Sequence, residues 1–568
     1  MRWPWRRLDR VVSAAWIMAT WASGFGVSDV RGDVSGAVAA LRDRGDVILV
    51  VNEAGDLRRT PIGRAAMDLA RAVMPTDEIE QSWSGLAKAL GTDRGEAFDL
   101  LLGQRAALVF ENRNGAVQWV VLSEVTLQVE KRLLAALEAA PRWIVAGHHA
   151  FDLEQGRYLV ATCHQVDGSS PGRATIALAG KDSVALFKAA VAVLCSRADG
   201  QDEAVGSAEL IASIDRMDLT ALWRPGPRPD QGNADRDEST SGARVFRVGA
   251  SPASATITLS ASFTDDGASV HVRSAPGFID PDAPDGAPML DSWPVAAFGR
   301  ATADAMVALM FRIGSAFRLE PIAGEMVGRL VDLAGLNQRV GPRLGVVIGH
   351  TTVPDARGRV PGPIWGGVLF ESRLSPAAVA PLVDVLFGQR LSVALETYGS
   401  TDAVARSRPP EHLVGAPAEA VRVEHLEPAG DSLVGRLLGP DPVLAWKTVA
   451  GEADGEGPRS WTVVALGSDD GADEAGAGVA QRVQRLYRAL SGAAGPPRPL
   501  VSFGSARPRE VIRALTTLGG PIAGLLRPLE RIESINWRTR ADPDGSLDST
   551  ISIRVGADAP RRDPAGPR

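Results

Sequence analysis

The chain of 568 residues is 45% hydrophobic and 23% charged, an ordinary globular composition with material for a large core, and its length suggests about two to four domains. A formal net charge of −7 speaks against nucleic-acid binding, which usually needs a basic face. The only two cysteines, Cys163 and Cys195, exclude a disulfide scaffold. Lysine is confined to Lys88, Lys131, Lys181, Lys188 and Lys447. An arginine-rich positive complement suits bidentate anion contacts, but the abundance of Ala, Gly, Pro and Asp favours simple GC-rich coding bias.

Residues 1–30 open with Arg2, Arg6, Arg7 and Arg10, followed by an uncharged run from Val11 to Val27. A basic lead, an apolar run and a small-residue exit at Ala22-Ser23-Gly24 form the layout of a signal peptide. The alternative is an uncleaved anchor through residues 11–27, although the run is short against the roughly 20 apolar residues that span a bilayer and contains Ser13, Thr20 and Ser23. Either way the basic lead leaves the bulk of the chain outside the cytoplasm. Arg6-Arg7 also matches a twin-arginine pair, with Trp5 and Asp9 as poor neighbours, and a buried N-terminal helix is the plainest alternative.

Beyond residue 30 a helical stretch, GLAKALG, leads to Gly103-Gln104-Arg105 and an apolar strand, a loop, and a strand led by Trp119. The helix TLQVEKRLLAALEAA follows, with Thr126 as N-cap. RWIVAGHHAF and RYLVATCHQ read as a hairpin across Glu154-Gln155, then come the strand ATIALAG, the helix KDSVALFKAAVAVLC and the strand LTALW. ATITLSASF and ASVHVRS close this half across Asp265-Asp266-Gly267, a strong hairpin signal. The alternation of Ile257, Leu259, Ala261 and Phe263 with Thr256, Thr258, Ser260 and Ser262 puts one face on a core and the other in water.

The pattern then returns. RLVDLAGL precedes Gly341-Pro342-Arg343 and an apolar strand; the strand led by Trp365 feeds a helix with Ser375 as N-cap and Pro376 at its first position. The end is again an Asp-Gly hairpin, at Asp542-Pro543-Asp544-Gly545. The expected fold is α+β: two tandem duplicated halves, residues 31–285 and 290–557, each a mainly antiparallel sheet with helices packed on one face. A polar tail, 558–568, reads as disordered.

Candidate chemistry is sparse. No P-loop, HExxH, EF-hand loop, GxGxxG or CxxC pattern occurs, and no catalytic residue is assigned. Gly168-Ser169-Ser170-Pro171-Gly172 matches G-x-S-x-G but precedes a strand, where a nucleophile elbow needs a following helix. His148, Cys163 and His164 are the one local group of metal-type ligands: in the expected hairpin His148 stands opposite Ala161 and diagonal to Cys163. A zinc site wants three or four ligands, so the reading stays between a metal site and one exposed plus one packed histidine. Cys163 and Cys195 fall at the same end of one strand–helix unit, which allows a disulfide in an oxidising compartment or two small buried apolar residues. Asp542 to Asp548 lacks the terminal glutamate of a calcium loop and reads as a turn. Glu124 and Glu371 occupy matching strand-to-helix junctions, where the helix dipole favours a carboxylate. The tryptophans that begin or end strands fill a core or line an apolar ligand groove.

With Gly103-Gln104-Arg105, Asp265-Asp266-Gly267 and Asp544-Gly545 laid out, the chain resembles an uncharacterised family of exported bacterial proteins with tandem α+β repeats. The resemblance spans most of residues 31–557 and implies no known activity. The expected function is therefore non-catalytic: an exported protein of the periplasm or extracellular envelope that binds a protein partner or apolar ligand, without cofactor and without nucleic acid. The alternatives are an exported hydrolase or metalloenzyme with a scattered site, and a structural envelope assembly protein. A membrane tether through residues 11–27 fits all three.

Overall fold

The computed structural model describes residues 33–52, 60–63, 87–138, 142–164, 173–195, 214–223, 256–275, 294–312, 340–372, 412–414, 421–425, 442–450, 460–468, 478–491, 500–517 and 526–556, apart from short turns and single residues within these spans. The export segment 1–30, the Ser375–Pro376 helix start, Gly168–Gly172 and the tail 558–568 lie outside the described residues.

In chain order the first half contains α1 (Asp33–Leu41), β1 (Val47–Val51), α2 (Arg94–Leu102), β2 (Ala106–Arg113), β3 (Ala116–Thr126), α3 (Leu127–Ala136), β4 (Arg142–Val145), β5 (His148–Leu153), β6 (Tyr158–His164), β7 (Arg173–Gly180), α4 (Val184–Cys195), β8 (Leu219–Trp223), β9 (Ile257–Thr264) and β10 (Gly267–Ser274). The second contains α5 (Val295–Ala301), β11 (Val307–Arg312), β12 (Val340–Asp355), β13 (Gly358–Ser372), β14 (His412–Val414), β15 (Val421–His425), β16 (Pro442–Ala450), β17 (Ser460–Ser468), α6 (Val479–Ser491), β18 (Leu500–Ala506), α7 (Pro508–Thr517), β19 (Ile532–Ala541) and β20 (Leu547–Val555). Local chemistry sets several boundaries. Thr126 caps α3 by accepting from the Val129 N–H at 3.3 Å, as expected, and Asp93 caps α2 by accepting from Glu96 N–H at 2.8 Å.

All strands pair antiparallel into one open 20-stranded sheet. The first ten strands lie in the order β4-β5-β6-β7-β3-β2-β1-β8-β9-β10. The second ten lie in the corresponding order, β14-β15-β16-β17-β13-β12-β11-β18-β19-β20. β10 and β20 join them, and among the described strands β4 and β14 are the outermost.

The ladders allow the two orders to be compared residue by residue. Starting from Arg105 matched with Arg343, register carries Ala106 through Val51 and Leu219 to Ala261. It carries Leu344 through Phe311 and Ser502 to Thr539. Ala261 precedes Gly267 by as many residues as Thr539 precedes Gly545, so the two Asp-Gly turns coincide. One ladder further, Val270 matches Ser549 and therefore His271 matches Thr550. His271 and Thr550 are themselves directly opposed across β10 and β20. A local two-fold axis thus passes through that pair.

Helices cover both faces of the sheet, not one as expected. On one face α1 and α4 pack over Ile48, Val50, Val109 and Leu122. On the other, α2 and α3 pack over Leu49, Leu108, Val121 and Ile176. The reason is in the central strands: VILVV, AALVF and WVVL are continuous apolar runs, and a strand buried on both sides does not alternate. The alternating ATITLSASF belongs instead to β9, at the junction. In the second half α5 and α6 cover the face that α1 and α4 cover in the first, around Trp365, Val463 and Ala465. α7 lies on the opposite face, where Glu510 approaches His350 Nε2 at 4.0 Å.

The two strand-leading tryptophans do not correspond. Register sets Trp119 level with Gly366, one residue off Trp365. A one-residue offset reverses the face, so Trp119 packs with the α2–α3 core and Trp365 with the α5–α6 core.

Candidate functional site

Two buried polar stations sit at matching points of the sheet. In the second half Arg343 and Glu371 stand side by side on β12 and β13 and make a two-pronged pair: Nε donates to Oε2 at 2.9 Å and Nη2 to Oε1 at 2.6 Å. The Glu371 side chain is fully buried, the Arg343 side chain is 12% exposed, and its guanidinium lies 5.1 Å from the Trp461 ring centre. Glu371 is thus held by a guanidinium; the helix expected to follow it lies outside the described residues. In the first half Arg105 instead donates from Nε to Asn52 Oδ1 at 2.7 Å and from Nη1 to Ser35 Oγ at 2.8 Å. Asn52 in turn donates from Nδ2 to Met217 O at 2.7 Å. Glu124 is buried beside it on β3, opposite Thr175, where the second half has Trp461. Arg482 of α6 adds a third clamp, stacked 4.5 Å from the Trp365 ring and 3.1 Å from Asp304 Oδ2. Arg343–Glu371 ties β12 to β13, Arg105 ties α1 and the end of β1 to the start of β2, and Arg482 ties α6 to the loop after α5, with the donors of each group bonded to acceptors within it.

Of the two readings of the strand-leading tryptophans, core filling applies to Trp365, Trp446 and Trp461, which are buried. The cavity between α2, α3 and the sheet is about 10 Å³, lined by Leu101, Leu102, Val121, Leu133, Val160 and other aliphatic side chains. That is at or below the space of one water molecule.

For the proposed metal group, the β5–β6 ladder pairs Ala150 with Ala161. His148 therefore lies at the register position of Cys163, not opposite Ala161 as expected. The hairpin is two residues longer than a turn at Glu154-Gln155 allows. The side chains of His148, Cys163, His164 and Cys195 lie outside the described residues, and among the described residues no cluster of three metal-type ligands occurs. Asp542–Asp548 is the β19–β20 turn: Gly545 has φ +77°, and Asp544 Oδ1 accepts from the Ser546 backbone N–H at 2.9 Å and its hydroxyl at 2.7 Å.

The most distinctive open surface is the junction, β9-β10-β20-β19. On the face shared by α1, α4, α5 and α6, its side chains form cross-strand rows: Arg273–Asp548–Arg540, His271–Thr550–Arg538, Ser269–Ser552–Asn536. His271, Arg273, Asn536, Arg538, Arg540, Thr550, Ser552 and Arg554 are exposed. The opposite face carries the apolar half of the alternation, Leu259, Phe263 and Val270, packed against the α2–α3 core. Walls rise on both sides. Ser35 of α1 binds Arg105 over the first half, and Phe298 of α5 meets Phe503 of β18 edge-on at 5.6 Å over the second. The exposed strands between them, β10, β20 and β19, span roughly 10 Å, two interstrand spacings of about 4.8 Å.

The turns at both ends carry ionised carboxylates. The Thr264 hydroxyl, bonded to Asp266 Oδ1 at 2.6 Å, holds that carboxyl below its usual range, and Arg554 adds to the effect. The Ser546 hydroxyl does the same for Asp544, helped by Arg273. The sequence carried a signal for this face in the Ser/Thr alternation of β9, but not for the pairing of β10 with β20, which joins residues far apart in the chain.

No protein-family model, curated protein or solved structure matches the chain.

Proposed function

We propose that this chain is an exported, non-catalytic envelope protein, built by tandem duplication, that holds a partner on the open junction of its two halves. The observation that carries the reading is the junction itself: three strands, β10, β20 and β19, whose one face is hydroxyl- and arginine-rich and exposed, beside first-half strands covered on both faces by helices. A partner fits this surface better than an apolar ligand does, because its exposed side chains are hydroxyls, an amide, an imidazole and guanidinium groups. Duplication is supported by the shared strand order and by the coincidence of the two Asp-Gly turns. Export rests on residues 1–30, whose basic lead and apolar run precede everything described.

A photo-crosslinking residue at Thr550 tests this in the full chain expressed in its own envelope. It should yield one discrete adduct of defined mass, with none from the same residue at the exposed Lys131 on α3. The mature protein recovered in the same preparation should begin near residue 24. Equal or diffuse adducts at both positions would contradict the junction as a binding surface. An active hydrolase or stoichiometric zinc in the purified chain would overturn the non-catalytic reading.

A further inference from the structure

Resting on that reading of the junction, we infer that its occupant is an extended acidic polypeptide segment with carboxylates on alternate residues, held by Arg538 and Arg540. Both arginines stand exposed on one face of β19, separated by a single residue. Their Cα atoms are therefore about 6.8 Å apart, the repeat that an extended peptide gives its own alternate side chains. Three of the four arginines of the face have a carboxylate near them: Arg273 acts on Asp544 at one end, Arg554 on Asp266 at the other, and Arg540 stands opposite Asp548 in register. Asp548 lies between Arg273 and Arg540 in register. Arg538 faces Thr550 and, beyond it, His271, with no carboxylate in its row. The centre of the junction is thus basic in a chain whose net charge is −7.

The form of the surface selects among anions. Helices about 10 Å thick stand on either side, so a flat membrane cannot reach the floor, whereas a single extended chain can. The aromatic residue of β19, Trp537, alternates onto the other face, where its ring meets Gly504. The face therefore offers bases only the His271 ring and the arginine planes to stack on, with no tryptophan, tyrosine or phenylalanine among its exposed side chains. Thr550, Ser552, Ser269 and Asn536 supply donors and acceptors suited to peptide N–H and C=O groups. Arginine forks match carboxylates two-pronged.

The test is fluorescence anisotropy at low salt with the full chain and a labelled peptide alternating Glu and Ser, against its Gln–Ser counterpart. The Glu peptide should bind, and Arg538→Glu with Arg540→Glu should weaken it roughly tenfold or more, the scale of two exposed ion pairs. Arg132→Glu, an exposed change on α3, should leave it unaltered. Arg538→Lys with Arg540→Lys should recover part of the affinity. Equal binding of the Gln peptide, or no effect of the reversal, would overturn the inference. So would equally tight, equally Arg538/Arg540-dependent binding of inorganic polyphosphate or phosphatidylglycerol vesicles. If the acidic peptide fails while the Thr550 crosslink persists, the junction remains the binding surface and only the ligand chemistry is wrong. If both fail, the functional reading falls with it.

Discussion

Glu371→Ala should destabilise the protein by about 3–5 kcal/mol, because it leaves the Arg343 guanidinium under the sheet's covering layer with no counter-charge. The pair is buried, two-pronged and stacked on Trp461, so water can replace little of what the carboxylate supplies. Against a typical total of about 5–15 kcal/mol, such a loss is readily seen as a lower denaturant midpoint at unchanged slope. Replacing both partners, Arg343→Met with Glu371→Leu, should recover most of it, since an apolar pair of similar volume removes both desolvation costs. A cost below about 1 kcal/mol for Glu371→Ala would mean that the pair is solvated and anchors nothing.

Gly267→Ala should open the junction. A Cβ at this position would lie 2.1 Å from the Ile553 carbonyl oxygen and 3.3 Å from Arg554 Cα. Both are backbone atoms, so β20 itself must shift. Forced overpacking costs about 1–3 kcal/mol, occasionally more, and here it falls on the one ladder that joins the two halves. Amide exchange should accelerate across Leu547–Val555 while Ile48, Val109 and Leu122, deep in the first half, stay protected. Gly299→Ala on α5 is the matched control: no heavy atom lies within 4 Å of its Cβ, and removing a helical glycine should stabilise by about 0.5–1 kcal/mol. Uniform loss of protection after Gly267→Ala would indicate that the sheet unfolds as one unit, and no change would indicate that β10 and β20 are not paired.

Local features of the fold were legible because their causes are local. Thr126 announces α3 through its cap, and the Asp-Gly pairs announce the closing hairpins through a turn that only certain residues adopt. The covering of both faces was also written in the chain, in the unbroken apolar runs of β1, β2 and β3, but the alternating β9 suggested a one-sided sheet. That alternation belongs to the junction, but Thr258, Ser260 and Ser262 on the polar face of β9 are themselves half-buried or buried, and the exposed polar rows are those of β10, β20 and β19. Glu371 illustrates the limit more sharply. Its position before a helix invites a dipole explanation, while its actual partner, Arg343, comes from the neighbouring strand and is brought opposite only by register. The same holds for the junction, since nothing near His271 in sequence points to Thr550. Trp119 and Trp365 show how a single-residue slip between similar segments sends equivalent-looking side chains to opposite faces.

The pairing of His271 with Thr550 on the local two-fold carries the whole account, because the continuous sheet and its open face both depend on it. Cysteines placed there, His271→Cys and Thr550→Cys in a chain with Cys163 and Cys195 changed to serine, test it directly. Directly opposed residues of an antiparallel pair have Cα atoms about 4.5–5.5 Å apart, within the range a disulfide bridges. Mild oxidation should link the two positions within one chain, seen as a single crosslinked peptide after digestion, while His271→Cys with Arg554→Cys should not link. Absence of the 271–550 bond, or its formation only between separate molecules, would contradict the junction.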